Sequence, residues 1–264
     1  MSDESLAPYP LTTAVSGSGP AVLLVPAAAG TIEDSFDPLP TLLSETRTVV
    51  APEYPGSAGE PIDGRALTLD NLADAYVAAA VAAGQESFTV VGHSLGAAVA
   101  VRAAVRHPER VKGLVLTAGF AAPDQRMKIV ISLAFDCLAR RDFRGYARLM
   151  VLSCVGASLV NMLPPGEVYR ALGELAELAW PGSEEYYSLL RTVDVTEDLA
   201  RIDVPTLVIA TTEDTFVSPA NSRFLADSIP GAEYTEVAAG HLINIVHTEP
   251  WNELIAKFFA EHNI

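Results

Sequence analysis

Cysteine is nearly missing from this chain: among 264 residues only Cys137 and Cys154 carry a thiol. Two cysteines cannot build a disulfide framework, and no histidines join them at metal-ligand spacing. Both therefore read as buried or half-buried thiols of a reduced, cytoplasmic compartment. Basic residues are also scarce, 17 Lys and Arg against 33 Asp and Glu, for a formal charge of −16. That balance argues against nucleic acid and against anionic membrane surfaces as general partners. Met1-Ser2-Asp3-Glu4-Ser5-Leu6-Ala7-Pro8 lacks the basic-then-apolar form of a secretory signal, and no apolar run is long enough to span a bilayer. No Gly-x-Gly-x-x-Gly follows a strand and no His or carboxylate cluster has ligand spacing, so neither a dinucleotide nor a metal cofactor is expected.

What is present is half apolar, with 18 glycines and 18 prolines, the composition of a globular chain. The length suits one large α/β domain, or a domain with an insertion. Short apolar runs at 21–25, 47–51, 88–91, 111–117, 206–210 and 232–237 read as strands, with a weaker one near 11–15. Helical periodicity at 67–83, 94–106, 219–228 and 250–259 alternates with them; in the last, Trp251, Leu254, Ile255 and Phe258 share a face. This alternation is the pattern of a mostly parallel sheet covered by helices on both faces.

Between residues 121 and 196 the alternation stops. Helical patterns run there without a strand, separated by Gly145, Gly156, Pro164-Pro165-Gly166 and Pro181-Gly182. The expected organisation is a core of residues 1–120 and 197–264 with a helical insertion at 121–196. The insertion holds Met127, Met150 and Met162, with Phe135, Phe143, Tyr146, Tyr169, Trp180, Tyr186 and Tyr187. Such side chains give an adaptable apolar surface suited to a bulky hydrophobic substrate, although most of them serve equally as packing residues of a helical layer. A locally basic stretch, Arg126, Lys128, Arg140, Arg141, Arg144 and Arg148 against Asp136 and Asp142, has two readings: a solvated helix face, or an attractor for an anionic substrate or an acidic carrier protein.

The chemistry begins at Phe88-Thr89-Val90-Val91-Gly92-His93-Ser94-Leu95-Gly96, a β-branched run broken by Gly-x-Ser-x-Gly and followed by the Ala-rich helical stretch from Ala97. A strand feeding a helix through so tight a turn strains the central residue and projects its side chain from the sheet edge. Ser94 Oγ then lies at a helix N-terminus, where developing negative charge is favoured. The glycines leave room where a Cβ would meet neighbouring backbone.

This elbow resembles that of the α/β-hydrolase superfamily, and the resemblance covers roughly residues 20–120 and 197–264. It implies a mostly parallel sheet, a serine nucleophile, and a lid at the position of the 121–196 insertion. Ser94 occupies the place where haloalkane dehalogenases and epoxide hydrolases of the superfamily carry aspartate, so those chemistries are not expected. A serine hydroxyl needs a base and a group to orient that base. Of five histidines, His93 lies inside the elbow, His107 at a helix end, and His247 and His262 in or beside the closing helix. His241 follows Gly240 in a loop directly after the last strand, where groups collect in such folds, and Gly240-His241 with Glu249-Pro250 resembles the family's catalytic-histidine segment. The strand at 206–210 runs into Thr211-Thr212-Glu213-Asp214. Asp214 resembles the family's acid, with Glu213 as the adjacent alternative and Ala210 or Thr211 where a glycine is usual. The order Ser94, Asp214, His241 is that of this fold.

An oxyanion hole needs two backbone donors. Leu95 N–H is the expected first. The second is expected from Ala27 or Ala28 in Pro26-Ala27-Ala28-Ala29-Gly30, where many family members carry His-Gly and which is somewhat similar to the Pro-x-Ala-Gly-Gly loop of type II thioesterases. The expected function is hydrolysis of an ester, thioester or lactone of a hydrophobic small molecule through an acyl-enzyme. The alternatives are C–C cleavage, cyclisation or cofactor-free peroxidation on the same scaffold, and a non-catalytic ligand-binding protein.

Overall fold

The computed structural model describes residues 9–28, 30–57, 67–177, 183–246 and 248–264. Seven strands form one sheet: β1 (Thr13–Ser16), β2 (Ala21–Val25), β3 (Thr48–Pro52), β4 (Phe88–His93), β5 (Val111–Thr117), β6 (Thr206–Thr211) and β7 (Glu233–Val237). Their order is β1-β3-β2-β4-β5-β6-β7, with β1 antiparallel to β3 and every other pair parallel. Each expected strand is present, with edges moved by at most two residues.

Twelve helices are described: α1 (Ile32–Phe36), α2 (Leu39–Leu43), α3 (Leu69–Ala82), α4 (Leu95–Arg106), α5 (Gln125–Ala139), α6 (Phe143–Cys154), α7 (Ala157–Met162), α8 (Pro165–Glu177), α9 (Ser183–Leu190), α10 (Pro219–Ser228), α11 (Ile243–Val246) and α12 (Thr248–His262). The inner strands β2 to β6 are largely buried on both faces because successive side chains alternate between two apolar layers, whereas the edge strands β1 and β7 are more exposed. Leu23, Val25, Val90, Leu114 and Leu116 join the layer under α3, α4 and the helices after β5. Val22, Leu24, Val49, Val91, Val115 and Ile209 join the other layer, with Phe36 of α1 and Trp251, Ile255, Phe258 and Phe259 of α12. In α12 it is thus Phe259 that completes the buried face, while Leu254 is only partly covered.

The path of the chain fixes where a ligand can sit. From β2 it moves one way to β3, then crosses back to β4 on the far side of β2. At such a reversal the loops leaving the two strands diverge and open a crevice at their carboxyl ends. Here those loops carry Ala27–Ala28 and Ser94.

Five helices, α5 to α9, lie between β5 and β6, and among the described residues no strand interrupts them. Val195 N–H donates to Ala121 C=O at 2.9 Å and closes the neck of this insertion. Tyr186 of α9 packs with its ring tilted against Tyr54 and donates to the Pro55 carbonyl at 2.8 Å, which seats the insertion on the loop after β3. Two expectations change here. Gly145 does not separate helices: α5 ends at Arg140 and Arg141, the latter at φ 55°, and Asp142 caps α6 by accepting from Gly145 N–H at 2.8 Å. The basic stretch is consequently divided over two helices, and its Arg and Lys side chains are exposed. Trp180 and Pro181-Gly182 lie outside the described residues. Among those described, no helix is long and apolar enough to cross a membrane.

Trp251 is fully buried, stacks on Phe36 at 6.1 Å, and donates its indole N–H to Thr117 Oγ1 at 3.1 Å. Trp251→Ala removes that packing, a loss of about 3 to 5 kcal/mol for a large core aromatic. Thermal unfolding should accordingly show a melting temperature lower by roughly 10 °C.

Candidate active site

Ser94 links β4 to α4 at φ 57° and ψ −118°, the strained turn that the Gly-x-Ser-x-Gly run predicts. Its N–H donates to Thr117 C=O at 2.9 Å, so the sheet holds the residue up to the turn itself. A Cβ on Gly96 would stand 2.0 Å from Val25 O, and one on Gly92 would stand 2.3 Å from Gly96 O. Both positions therefore need glycine for the close approach of backbone. The first turns of α4 are wholly buried, and their small residues let the helix lie directly on the sheet.

His241 stands on the loop after β7. A Cβ on Gly240 would meet Gly156 N at 2.2 Å and Cys154 O at 2.7 Å, so this loop passes directly under the end of α6. His241 Nε2 lies 2.8 Å from Ser94 Oγ, and Nδ1 lies 2.6 Å from Asp214 Oδ2. A carboxylate accepts and cannot donate, so Nδ1 carries the proton and Nε2 accepts from the serine hydroxyl. Asp214 is itself held: Oδ1 accepts from the Phe216 and Val217 amides at 2.9 Å each, and Oδ2 accepts from Thr211 Oγ1 at 3.2 Å. Thr211, at the end of β6, thus adds a hydroxyl donor to Asp214. Glu213 turns the other way and accepts from Ser158 N–H at 3.0 Å and Ser158 Oγ at 2.7 Å. Of the two neighbouring carboxylates, Asp214 is the one that meets the histidine.

Sequence reasoning placed His93 in the elbow without giving it a contact. The structure buries it completely, with Nε2 2.8 Å from the His241 carbonyl and the two rings 5.1 Å apart. Burial and the neighbouring His241 push its pKa down to about 3, so the ring is neutral and Nε2–H donates to that carbonyl. Phe216 stands edge-on to the His241 ring at 5.4 Å. His241 is thereby held through its carbonyl, its Nδ1 and its ring. His107 pairs with Asp74, His262 pairs with Glu233, and His247 lies outside the described residues.

Ser94 and His241 open into a cavity of about 630 Å³, within the range of small-molecule sites. One side comes from the β2–α1 segment, with Ala27, Ala28, Gly30, Ser35 and Asp37 among its residues; the other comes from the inserted helices. Leu95, the first residue of α4, is buried next to Ser94. Ala27 N–H donates to Ser35 Oγ at 3.0 Å. Ser35 was not singled out by sequence, because nothing in the short acidic stretch around it marks one serine as facing a loop eight residues earlier. Cys154 also lines the cavity, but burial above all, with Asp214 nearby, pushes its thiol pKa well up, so it is an inert thiol. The other cysteine, Cys137, is half-buried and free as well. Among the described residues no group of His, Cys, Asp and Glu could hold a metal ion.

Over residues 20–248 the sequence matches the α/β hydrolase fold family. The chain belongs to that family. This α/β hydrolase is 32% identical over 252 residues to pyrrolizixenacetamide deacetylase of Xenorhabdus hominickii, covering 95% of this chain and 94% of the relative. It is 29% identical over 267 residues to 2-hydroxymuconate semialdehyde hydrolase of Pseudomonas putida, with 94% and 86% covered. An α/β hydrolase enzyme from a Medee basin deep-sea metagenome library superposes with a TM-score of 0.85 at 16% identity, over 95% of this chain and 94% of that one, a likeness of fold. The relatives named from sequence are hydrolases, which supports hydrolase activity here.

The two carboxylates of the 213–214 pair can be separated by mutation. Asp214→Asn should lower kcat on a short p-nitrophenyl ester by about 10³- to 10⁴-fold, the cost of losing the orienting acid. Glu213→Gln retains an acceptor for Ser158 and should stay within roughly tenfold of the parent.

Proposed function

We propose that this α/β hydrolase is a serine hydrolase that cleaves a carboxylic ester, thioester or lactone of a hydrophobic small molecule through an acyl-enzyme. The observation that carries the reading is the continuous hydrogen-bonded line from Ser94 Oγ through both nitrogens of His241 to Asp214, inside a largely apolar cavity. The deacetylase named among the relatives is a reason to test acyl–nitrogen bonds beside acyl–oxygen bonds in the same chemistry.

In this mechanism Ser94 Oγ attacks the substrate carbonyl carbon while its proton passes to His241 Nε2. The resulting oxyanion lies at the N-terminus of α4, where the Leu95 amide and the positive end of the helix favour it. A second amide comes from the Ala27–Ala28 loop. Ala28 can serve directly, whereas Ala27 serves by exchanging its Ser35 partner for the oxyanion. Collapse breaks the bond to the leaving group, which takes the proton from His241. Water then attacks the acyl-enzyme, its proton going to His241, and the second tetrahedral intermediate expels Ser94 Oγ, which recovers the proton. Asp214 holds Nδ1–H throughout and stabilises the imidazolium that forms at each stage. The helices between β5 and β6 act as the lid. Those of their residues that reach the cavity, such as Tyr146, Met150, Leu175 and Leu190, select the acyl and leaving groups by shape and burial. The exposed arginines of α5 and α6 are not among the described residues that line the cavity.

Ser94→Ala should reduce kcat by on the order of 10⁵- to 10⁶-fold, as loss of a serine nucleophile does. It should also abolish labelling by a fluorophosphonate probe, read by intact-protein mass spectrometry. Labelling that persists at another residue overturns the assignment of Ser94.

A further inference from the structure

The apolar part of the cavity contains one polar pair. Tyr146 of α6 and Tyr187 of α9, 41 residues apart in sequence, bring their hydroxyl oxygens to 3.0 Å, with rings crossing edge to face at 88°. Both side chains are buried and both residues line the cavity that Ser94 opens into. Tyr187 O–H donates to Met150 Sδ at 3.2 Å, and Met150, one turn beyond Tyr146 on α6, lines the cavity too.

Each phenol has one proton to donate. With Tyr187 donating to sulfur, Tyr146 donates to Tyr187. In the reverse arrangement Tyr187 donates to Tyr146, and the Tyr146 proton is the one to be placed. In both, one of the two protons has, among the described residues, at best a thioether as acceptor, and a thioether is a weak one. An oxygen carried in by a ligand therefore gains that donor while displacing only the weakest bond of the group. Burial pushes the Tyr146 pKa up to about 12 and that of Tyr187 well above the ordinary phenol value, so both remain neutral donors near neutral pH.

The charge of the cavity narrows the acceptor further. Glu33, Asp34 and Asp37 line it from the β2–α1 segment, and no lysine or arginine is among the described lining residues. An anionic oxygen would enter against three carboxylates, which an uncharged keto or ether oxygen does not.

Resting on the hydrolase reading for the reacting carbonyl, we infer that the Tyr146–Tyr187 pair is a specificity site. It recognises an uncharged keto or ether oxygen on the otherwise apolar portion of the substrate.

The test uses matched p-nitrophenyl and alkyl esters, one of each pair all-hydrocarbon and the other with a keto oxygen, placed in the acyl chain in one series and in the alcohol in the other. Turnover is measured with the parent enzyme. Binding of the intact esters to the Ser94→Ala variant is measured by calorimetry. The keto ester of one series should be preferred roughly three- to tenfold, the worth of one added hydrogen bond, and the ratio should fall to about one when Tyr146→Phe and Tyr187→Phe are combined. Met150→Leu, which removes the competing thioether, should raise the ratio, and it provides the measurement if the double variant does not fold. No keto preference in either series, a preference that survives the double variant, or a ratio unmoved by Met150→Leu overturns the proposal. Failure of the hydrolase reading looks different. The parent enzyme then turns over neither ester, while binding to the Ser94→Ala variant still reports on the tyrosines.

Discussion

Ser94 rests in a backbone conformation that costs an L residue about 1 to 3 kcal/mol, and its surroundings leave the chain no relaxed alternative. Its amide is bonded to Thr117 of β5, and the residue after it begins a helix whose first turns are wholly buried. The backbone of Gly96 presses against Val25 of β2 so closely that no side chain fits between them. The strain is therefore sustained by three parallel strands and one buried helix, and not by any single contact. This constraint also brings the β2 loop beside the serine, because Val25 is both the wall against which α4 packs and the last residue of β2, from which Pro26 leads into Ala27 and Ala28.

Around the histidine the protein works by position and not by added charge. The ring of His241 has His93 near one side and Phe216 edge-on, and its carbonyl is held by a histidine that burial keeps neutral. A second positive charge at His93 would oppose the imidazolium that an acyl transfer generates, so a neutral donor suits the site better than a cation. Asp214 has its oxygens occupied by two amides, the Thr211 hydroxyl and His241. A carboxylate so fully satisfied cannot swing away to another partner, and the imidazole cannot turn without losing it.

Much of this was legible in the sequence because the informative residues sit at strand ends, where local pattern and global topology coincide. Ser94 and Asp214 each follow an apolar run that reads as a buried strand, and His241 follows the more exposed closing strand. The preference for Asp214 over Glu213 came from the family resemblance alone, since adjacent carboxylates differ only in which way the loop turns them; in the structure Asp214 meets His241 and Ser158, 55 residues earlier, takes Glu213. The short helices α1 and α2 were missed because five-residue segments are too brief for periodicity to show. With α1 went Ser35, whose hydroxyl meets Ala27 only once the helix has formed. Contacts such as His93 with the His241 carbonyl and Tyr146 with Tyr187 join residues with no local pattern in common, so only tertiary packing reveals them. The basic residues from Arg126 to Arg148 read as one stretch, although α5 and α6 divide them, because the break at Arg141 is made by a non-glycine residue at positive φ.

The seating of α6 on the histidine loop has a mechanical meaning. Gly156 lies against Gly240, Leu242 N–H reaches Cys154 C=O at 3.4 Å, Thr215 N–H reaches Ser153 C=O at 3.2 Å, and Ser158 is bound by Glu213. The end of α6 is thus riveted to the loops that carry His241 and Asp214, while α7 beyond it buries none of its residues. Lifting that end would drag Asp214 and His241 out of register, so the packing of the inserted helices and the alignment of the site stand or fall together.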